Sequence, residues 1–100
     1  MARPVRLSPA ARRDLEGIVR YISFDQPHRA ERFGMLLLGH ARSLAEMPDR
    51  GRVVPEFADP QLRELIVQAY RLIYRINPST GAIELVRIWH TARGMPNLNA

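Results

Sequence analysis

The chain has 100 residues, 46% of them apolar and 25% charged, which describes one globular domain (residues 1–100) with a two-layer core and no room for a second. Cysteine is absent, so disulfide frameworks and thiolate chemistry are excluded, and a reducing cytoplasm is the expected setting. The net charge is +5, carried by 15 arginines with no lysine; every cation is a planar fork suited to carboxylate or phosphate.

In chain order, residues 3–7 (RPVRL) read as an opening strand. Ser8 then offers an N-cap and Pro9 fits the first helical position. Asp14 and Glu16 are expected near the positive end of this helix. Ala11, Leu15, Ile18, Val19 and Ile22 form one apolar stripe at spacings of three and four, which predicts a helix over Pro9–Ser23. Asp25-Gln26-Pro27 starts a second helix in the same way. Its stripe is Ala30, Phe33, Leu37, Ala41 and Leu44, widened by Leu38, Ala45 and Met47, and Pro48 stops it. The short connection folds the two helices into an antiparallel hairpin. Arginines and acids are mixed on its outer faces, the pattern of a solvated surface.

Residues 48–60 hold three prolines and a glycine and read as an irregular crossing. LRELIV (62–67), YRLIYRI (70–76) and AIELVRIWH (82–90) read as strands, the last two joined by a five-residue turn ending at Gly81. The tail after His90 contains Gly94 and Pro96 and is expected to be loose at its end. No stretch approaches about 18 apolar residues, so no membrane span is expected, and no apolar leader precedes the first helix. The order β-α-α-β-β-β implies an α+β fold, in which one αα-hairpin covers one face of a small, mostly antiparallel sheet. The other face is expected to be open and to carry function.

A five-residue turn sets Ile76 opposite Ala82, Leu72 opposite Val86 and Tyr70 opposite Ile88. Alternation then turns Tyr70, Leu72, Tyr74, Ile76, Val86 and Ile88 toward the helices. It turns Arg71, Ile73, Arg75, Ile83, Leu85, Arg87 and Trp89 toward the open face. In this register Arg71 faces Arg87, a destabilising pair of like charges. Either an external anion or carboxylate relieves it, or a nearby acid does: Glu56, Glu64 or Glu84. A one-residue slip of register removes the opposition altogether. His28 and His40 lie twelve residues apart and cannot share a metal; no ligand cluster, nucleophile triad or phosphate loop is visible, so neither metal nor cofactor is expected.

The order of elements, the opening "LSPAARRDLEGIVRYI", the helix end "LAEMPDRGR", the strand "YRLIYRI" and the closing "IELVRIWHTAR" together resemble the RelE/ParE superfamily, toxins of bacterial type II toxin–antitoxin modules. The resemblance runs from Leu7 to Arg93 and rests on order and spacing rather than on one motif. It implies neutralisation by a cognate antitoxin that folds on binding, usually in a toxin–antitoxin heterotetramer or larger complex. It also implies one of two targets. ParE-like members inhibit DNA gyrase without established catalytic residues; RelE-like members cut mRNA on the ribosome. The ribonuclease reading would use Arg71 and His90 with Arg63 or Arg93. Leu62 and Glu64 stand where a basic pair would be needed, and Arg63 has the opposite parity. The "LSPxAxxDL"-type start, the long helical hairpin and the closing His90-Thr91-Ala92-Arg93 favour the ParE-like branch. In that branch Arg71, Ile73, Arg75, Leu85, Arg87, Trp89 and Arg93 are the expected binding surface for antitoxin or target.

Overall fold

A computed structural model of the chain describes residues 4–98. The elements are β1 (Val5–Leu7), α1 (Pro9–Ser23), α2 (Pro27–Ser43), a 3-10 turn (Pro48–Arg50), β2 (Arg52–Val53), β3 (Leu62–Val67), β4 (Tyr70–Ile76), β5 (Ile83–His90) and a closing 3-10 turn (Thr91–Arg93). The five strands form one sheet in the order β1-β5-β4-β3-β2, with only the β1–β5 pair parallel. The expected α+β architecture is therefore present, with the two-residue edge strand β2 as an addition inside what the sequence reads as irregular chain. Arg3, placed in the opening strand by the sequence, lies outside the described residues.

Local chemistry explains both helices. Ser8 Oγ accepts from the Ala11 N–H at 3.0 Å and donates to the Val86 carbonyl at 2.8 Å, so the cap of α1 is also a tie to β5. Helix α2 has Pro27 in its first turn but no side-chain cap. It ends at Ser43, earlier than Pro48 requires, because the chain tightens into short-range bonds there: Leu44 N–H to Ala41 O and Ala45 N–H to Arg42 O. The hairpin buries Ala11, Phe33, Leu37, Ala41 and Leu44 against Leu72, Tyr74, Ile83, Leu85 and Ile88 of the sheet.

The β4–β5 register departs from the expected one at two points. Asn77 N–H donates to Ala82 O at 2.8 Å, so the ladder extends one pair further into the turn and Ile76 faces Ile83, not Ala82. The Asn77 side chain fixes this turn by accepting from the Ser79 and Thr80 amides. A bulge at Val86 then inserts an extra residue: Tyr74 pairs with Leu85, whereas Ile73 pairs with Arg87. The slip moves Ile83 and Leu85 from the expected open face into the helix-side core, where they are 1% and 0% exposed. The bulge restores parity beyond it, so Arg71, Ile73, Arg87 and Trp89 keep the open face. Arg71 faces Trp89, not Arg87.

That second face is covered within the chain. Val54, Leu62 and Ile73 form a small cluster of their own, with Phe57 and Leu98 packed on it. Residues 54–57 and Leu98 of the tail thus form a thin second layer where an open surface is expected; the end of the tail, expected to be loose, lies outside the described residues. The loop into β2 is held from the core: the fully buried Tyr74 hydroxyl donates to Pro48 O at 2.7 Å and accepts from the Gly51 N–H at 2.9 Å. A Cβ at Gly51 would lie 2.5 Å from the Glu64 carbonyl oxygen, so this crossing requires glycine.

Candidate functional site

Sheet alternation and the bulge set the positions of the sequence-predicted residues. On the covered face, Arg71 is 8% exposed, and each of its three nitrogens donates to an acid of the same chain. Its Nε donates to Glu64 Oε1; its two terminal nitrogens donate to the two Glu56 oxygens at 3.0 and 2.8 Å. Glu64, 1% exposed, spends its second oxygen on Arg52, at 2.8 Å to Nε and 2.7 Å to a terminal nitrogen. Two guanidinium groups and two carboxylates make a closed, neutral cluster. The Glu56 hydrogen bonds, then Glu64, hold the Arg71 pKa above its ordinary value against the burial that would lower it.

Arg87 repeats the arrangement with different partners. Asp14 of α1 accepts from it through both oxygens at 2.7 and 2.8 Å, and the Asn97 carbonyl takes a third N–H at 2.9 Å. The Asp14 hydrogen bonds raise the Arg87 pKa, with burial opposing. Asp14 also accepts from the Ile88 amide at 3.0 Å, closing the edge of β5 beyond the end of β1. It lies past the first turn of α1, so its work is this bridge rather than the expected helix-end charge. Trp89 lies between two cations: the Arg87 guanidinium is 4.6 Å and that of Arg93 3.9 Å from its ring centre. Its Nε1–H donates to Gly94 O.

Arg75 reaches Asp59 at 3.7 Å, near the surface. Ile73 and Leu85 are each 0% exposed, so neither offers surface to a partner in this conformation. Arg63 points to the helix side, as its parity requires, where it donates to Gly51 O at 2.9 Å and approaches Asp49 at 3.9 Å. His90 is also on that side. Its ring meets the Tyr70 ring edge-on at 5.2 Å, and its Nδ1 accepts from the Ala92 N–H at 3.0 Å. The structure therefore brings Arg71, Arg87 and Trp89 to the second face and leaves His90 and Arg63 on the other, while Arg93, in the closing turn, covers the Trp89 ring and also lines a cleft with His90. The internal acids that hold the arginines are the site residues that sequence reasoning gives too little weight. Glu56 and Glu64 are visible as neighbours; Asp14 carries a signal too, since its spacing to Ala11 and Ile18 places it beside the buried stripe.

One consequence is a pH dependence. The Glu56 pKa is held below its ordinary value near 4.5, chiefly by the Arg71 hydrogen bonds, with partial burial opposing. A carboxylate with a depressed folded-state pKa contributes stability that is fully present above the unfolded value and lost as pH falls through the folded one. Glu56→Gln is expected to be less stable than the parent at neutral pH. The gap between them narrows only below pH 4.5, as followed by urea unfolding at a series of pH values. A gap independent of pH down to acid unfolding would remove Glu56 from the cluster's energetics.

No group of three or more metal-binding side chains occurs among the described residues, and no helix among them is long and apolar enough to cross a membrane. Comparison with known proteins agrees with the geometry. The model of a family described as the ParE toxin of type II toxin–antitoxin system, parDE, matches residues 5–95. Toxin RelE2 of Caulobacter vibrioides is 41% identical over 80 residues, covering 80% of this chain and 85% of its own. Toxin RelE3 of the same organism is 36% identical over 91 residues, covering 87% and 92%. Among solved structures, the chromosomal ParDE system of P. aeruginosa superposes with a TM-score of 0.73 at 17% identity, covering 89% of this chain and 96% of that one. The RelBE2 toxin–antitoxin complex of Mycobacterium tuberculosis gives 0.66 at 24%, covering 90% and 92%. At those identities the likeness is one of fold. The sequence match over nearly the whole length carries the assignment: the chain belongs to the ParE toxin family of type II toxin–antitoxin systems, within the RelE/ParE superfamily.

Proposed function

We propose that the chain is a cytoplasmic toxin, neutralised by a cognate antitoxin in a heterotetramer or larger complex, that acts by binding DNA gyrase and not by cutting RNA. One observation carries the choice of target: Arg71 and His90 lie on opposite faces of the sheet. RNA cleavage through a 2′-hydroxyl needs a base, an acid and cations arranged around one phosphate. Here each nitrogen of the cation is engaged by Glu56 or Glu64, and the imidazole meets the Tyr70 ring edge-on. Nothing basic replaces Glu64 beside Arg71. A binding toxin has no such requirement, and a rigid sheet with internally neutralised arginines suits recognition by shape. The RelE names of the Caulobacter relatives favour the second reading, a ribosome-dependent mRNA endonuclease.

The test is expression of the chain alone from a tight promoter, with DNA supercoiling, the DNA-damage response and mRNA integrity followed within minutes. The expected result is perturbed DNA with intact mRNA. His90→Ala is expected to leave growth inhibition in place. An acid–base residue would lose roughly a hundredfold or more on such a change. Rapid mRNA cleavage by the parent, abolished in a folded His90→Ala variant, would replace the gyrase reading with the nuclease one.

A further inference from the structure

The arginines of the sheet are held in two ways. Arg71 and Arg87 are largely buried and donate to carboxylates at hydrogen-bond distance. Arg6 and Arg75 are not held so. Arg6 stands 3.5 Å from Glu84 and Arg75 stands 3.7 Å from Asp59, too far for a charge-assisted hydrogen bond. Among the described residues neither guanidinium donates a hydrogen bond. The four side chains are between 38% and 83% exposed. Such pairs contribute little, so a ligand that takes over either partner displaces little.

Strand register sets these groups side by side. Arg6 of β1 and Arg75 of β4 are the two cross-strand neighbours of Glu84 on β5. The row across this end of the second face therefore reads cation, anion, cation, with Asp59 beside Arg75. All four groups line one cavity of about 610 Å³, at the turn end of the β4–β5 hairpin and at the opposite end of β5 from His90. Pro4, Pro78 and Ala82 add apolar wall. The backbone there is spent on itself: Asn77 N–H on Ala82 O, Gly81 N–H on Asn77 O, Ile83 N–H on Pro4 O and Ile76 N–H on Gln61 O. The cavity is thus preformed, and its charged side chains are what it presents to a ligand.

These four charges sum to zero. A simple anion would meet Glu84 and Asp59 as well as the arginines, and a simple cation would meet the arginines as well as the acids. A molecule that carries both an ammonium and a carboxylate satisfies both sets. Adjacent strands lie about 4.8 Å apart, so the sign alternates along the row on the scale of one or two residues of peptide. We propose that this cavity binds a zwitterion with an apolar body, an α-amino acid or a dipeptide with both ends free. Its carboxylate accepts from Arg75 and Arg6, its ammonium donates to Glu84 and Asp59, and its side chain rests on the apolar wall. The site lies apart from the Arg71 cluster and does not depend on which target the toxin has.

Isothermal titration calorimetry would use L-leucine, L-leucyl-L-leucine, and the N-acetylated and C-amidated form of each, which keep the apolar body and one charge. Saturable heat with leucine assigns a free amino acid; saturable heat with the dipeptide alone assigns a peptide. Either supports the proposal provided that both blocked forms bind at least about tenfold more weakly. Arg75→Gln and Glu84→Gln, at exposed positions, are expected to weaken the zwitterion roughly tenfold each, with the circular dichroism of the parent. Glu84→Gln is also expected to strengthen binding of the N-acetylated form, an anion, which a purely structural role would not do. Arg42→Gln, on α2 and outside the cavity, is expected to change nothing. The proposal is overturned by no saturable heat with either zwitterion, or by a blocked form binding as tightly as its zwitterion. It is equally overturned by Arg75→Gln binding like the parent, by Glu84→Gln leaving the preference for the zwitterion over the N-acetylated form unchanged, or by Arg42→Gln weakening binding as much as Arg75→Gln.

Discussion

Replacing Glu64 with alanine is expected to lower the unfolding free energy by about 3 kcal/mol, because it leaves the buried Arg71 guanidinium without one of its two anions. For a domain of this size that is a fall in Tm of roughly 15 °C. The reasoning is local. Glu64 has no side-chain exposure and, among the described residues, is the acid that touches both Arg71 and Arg52. Arg52 is largely exposed and will be solvated once released; Arg71 will not. Glu56 still grips the far end of Arg71, which keeps the loss at the lower end of what breaking a buried pair costs. Glu64→Gln retains one acceptor but turns an N–H₂ toward a guanidinium, and is expected to lie between the parent and alanine.

The same physics predicts that the pair can be removed together at less cost than singly. Glu64→Leu with Arg71→Met replaces a desolvated ion pair with apolar volume, and the double variant is expected to recover part of the single losses, with a coupling of about 1–3 kcal/mol in the cycle. Urea unfolding with an unchanged m-value is the measurement. Glu64→Ala within about 0.5 kcal/mol of the parent would mean that water reaches the cluster, and would return Arg71 to the residues open to a partner.

Much of the fold is readable in the sequence because its signals are local. The Ser8-Pro9 cap and the apolar stripe place α1 at its true bounds, and the alternation of YRLIYRI places β4. The errors come from signals that are not local. Nothing in residues 77–81 announces that the Asn77 amide closes the ladder, or that Val86 is an extra residue; yet those two events decide that Leu85 is core and that Arg71 meets Trp89. The site fails for the same reason. A row of arginines on one sheet face looks like a receptor for anions until the acids are placed, and these come from a crossing loop (Glu56), a neighbouring strand (Glu64) and a distant helix (Asp14). Parity predicts which way an arginine points. Only tertiary structure shows whether something already waits there.

Asp14→Ala tests that point most sharply, since two readings of one residue predict different sizes. As a charge near a helix N-terminus, Asp14 would contribute only about 0.3–1 kcal/mol. As the partner of Arg87 and of the Ile88 amide, its loss is expected to cost about 3 kcal/mol, because a guanidinium only 12% exposed loses its carboxylate, keeping the Asn97 carbonyl, and an edge N–H loses its acceptor. Asp14→Asn keeps an acceptor for Ile88 and should lose less. Two further readouts separate the accounts. Amide exchange at Ile88 should quicken in Asp14→Ala and stay slow in Asp14→Asn, and Trp89 emission should shift in Asp14→Ala as Arg87 leaves its position over the ring. The edge of β5 matters beyond stability: β1 covers only Ile83–Leu85, and α1 closes the adjoining stretch of the strand through Ser8 and Asp14. Opening that edge exposes strand backbone able to pair with another chain. Asp14→Ala should therefore self-associate at concentrations where the parent does not; if it loses less than about 1 kcal/mol and remains as dispersed as the parent, the bridge from helix to strand is decorative and the helix-end reading is the right one.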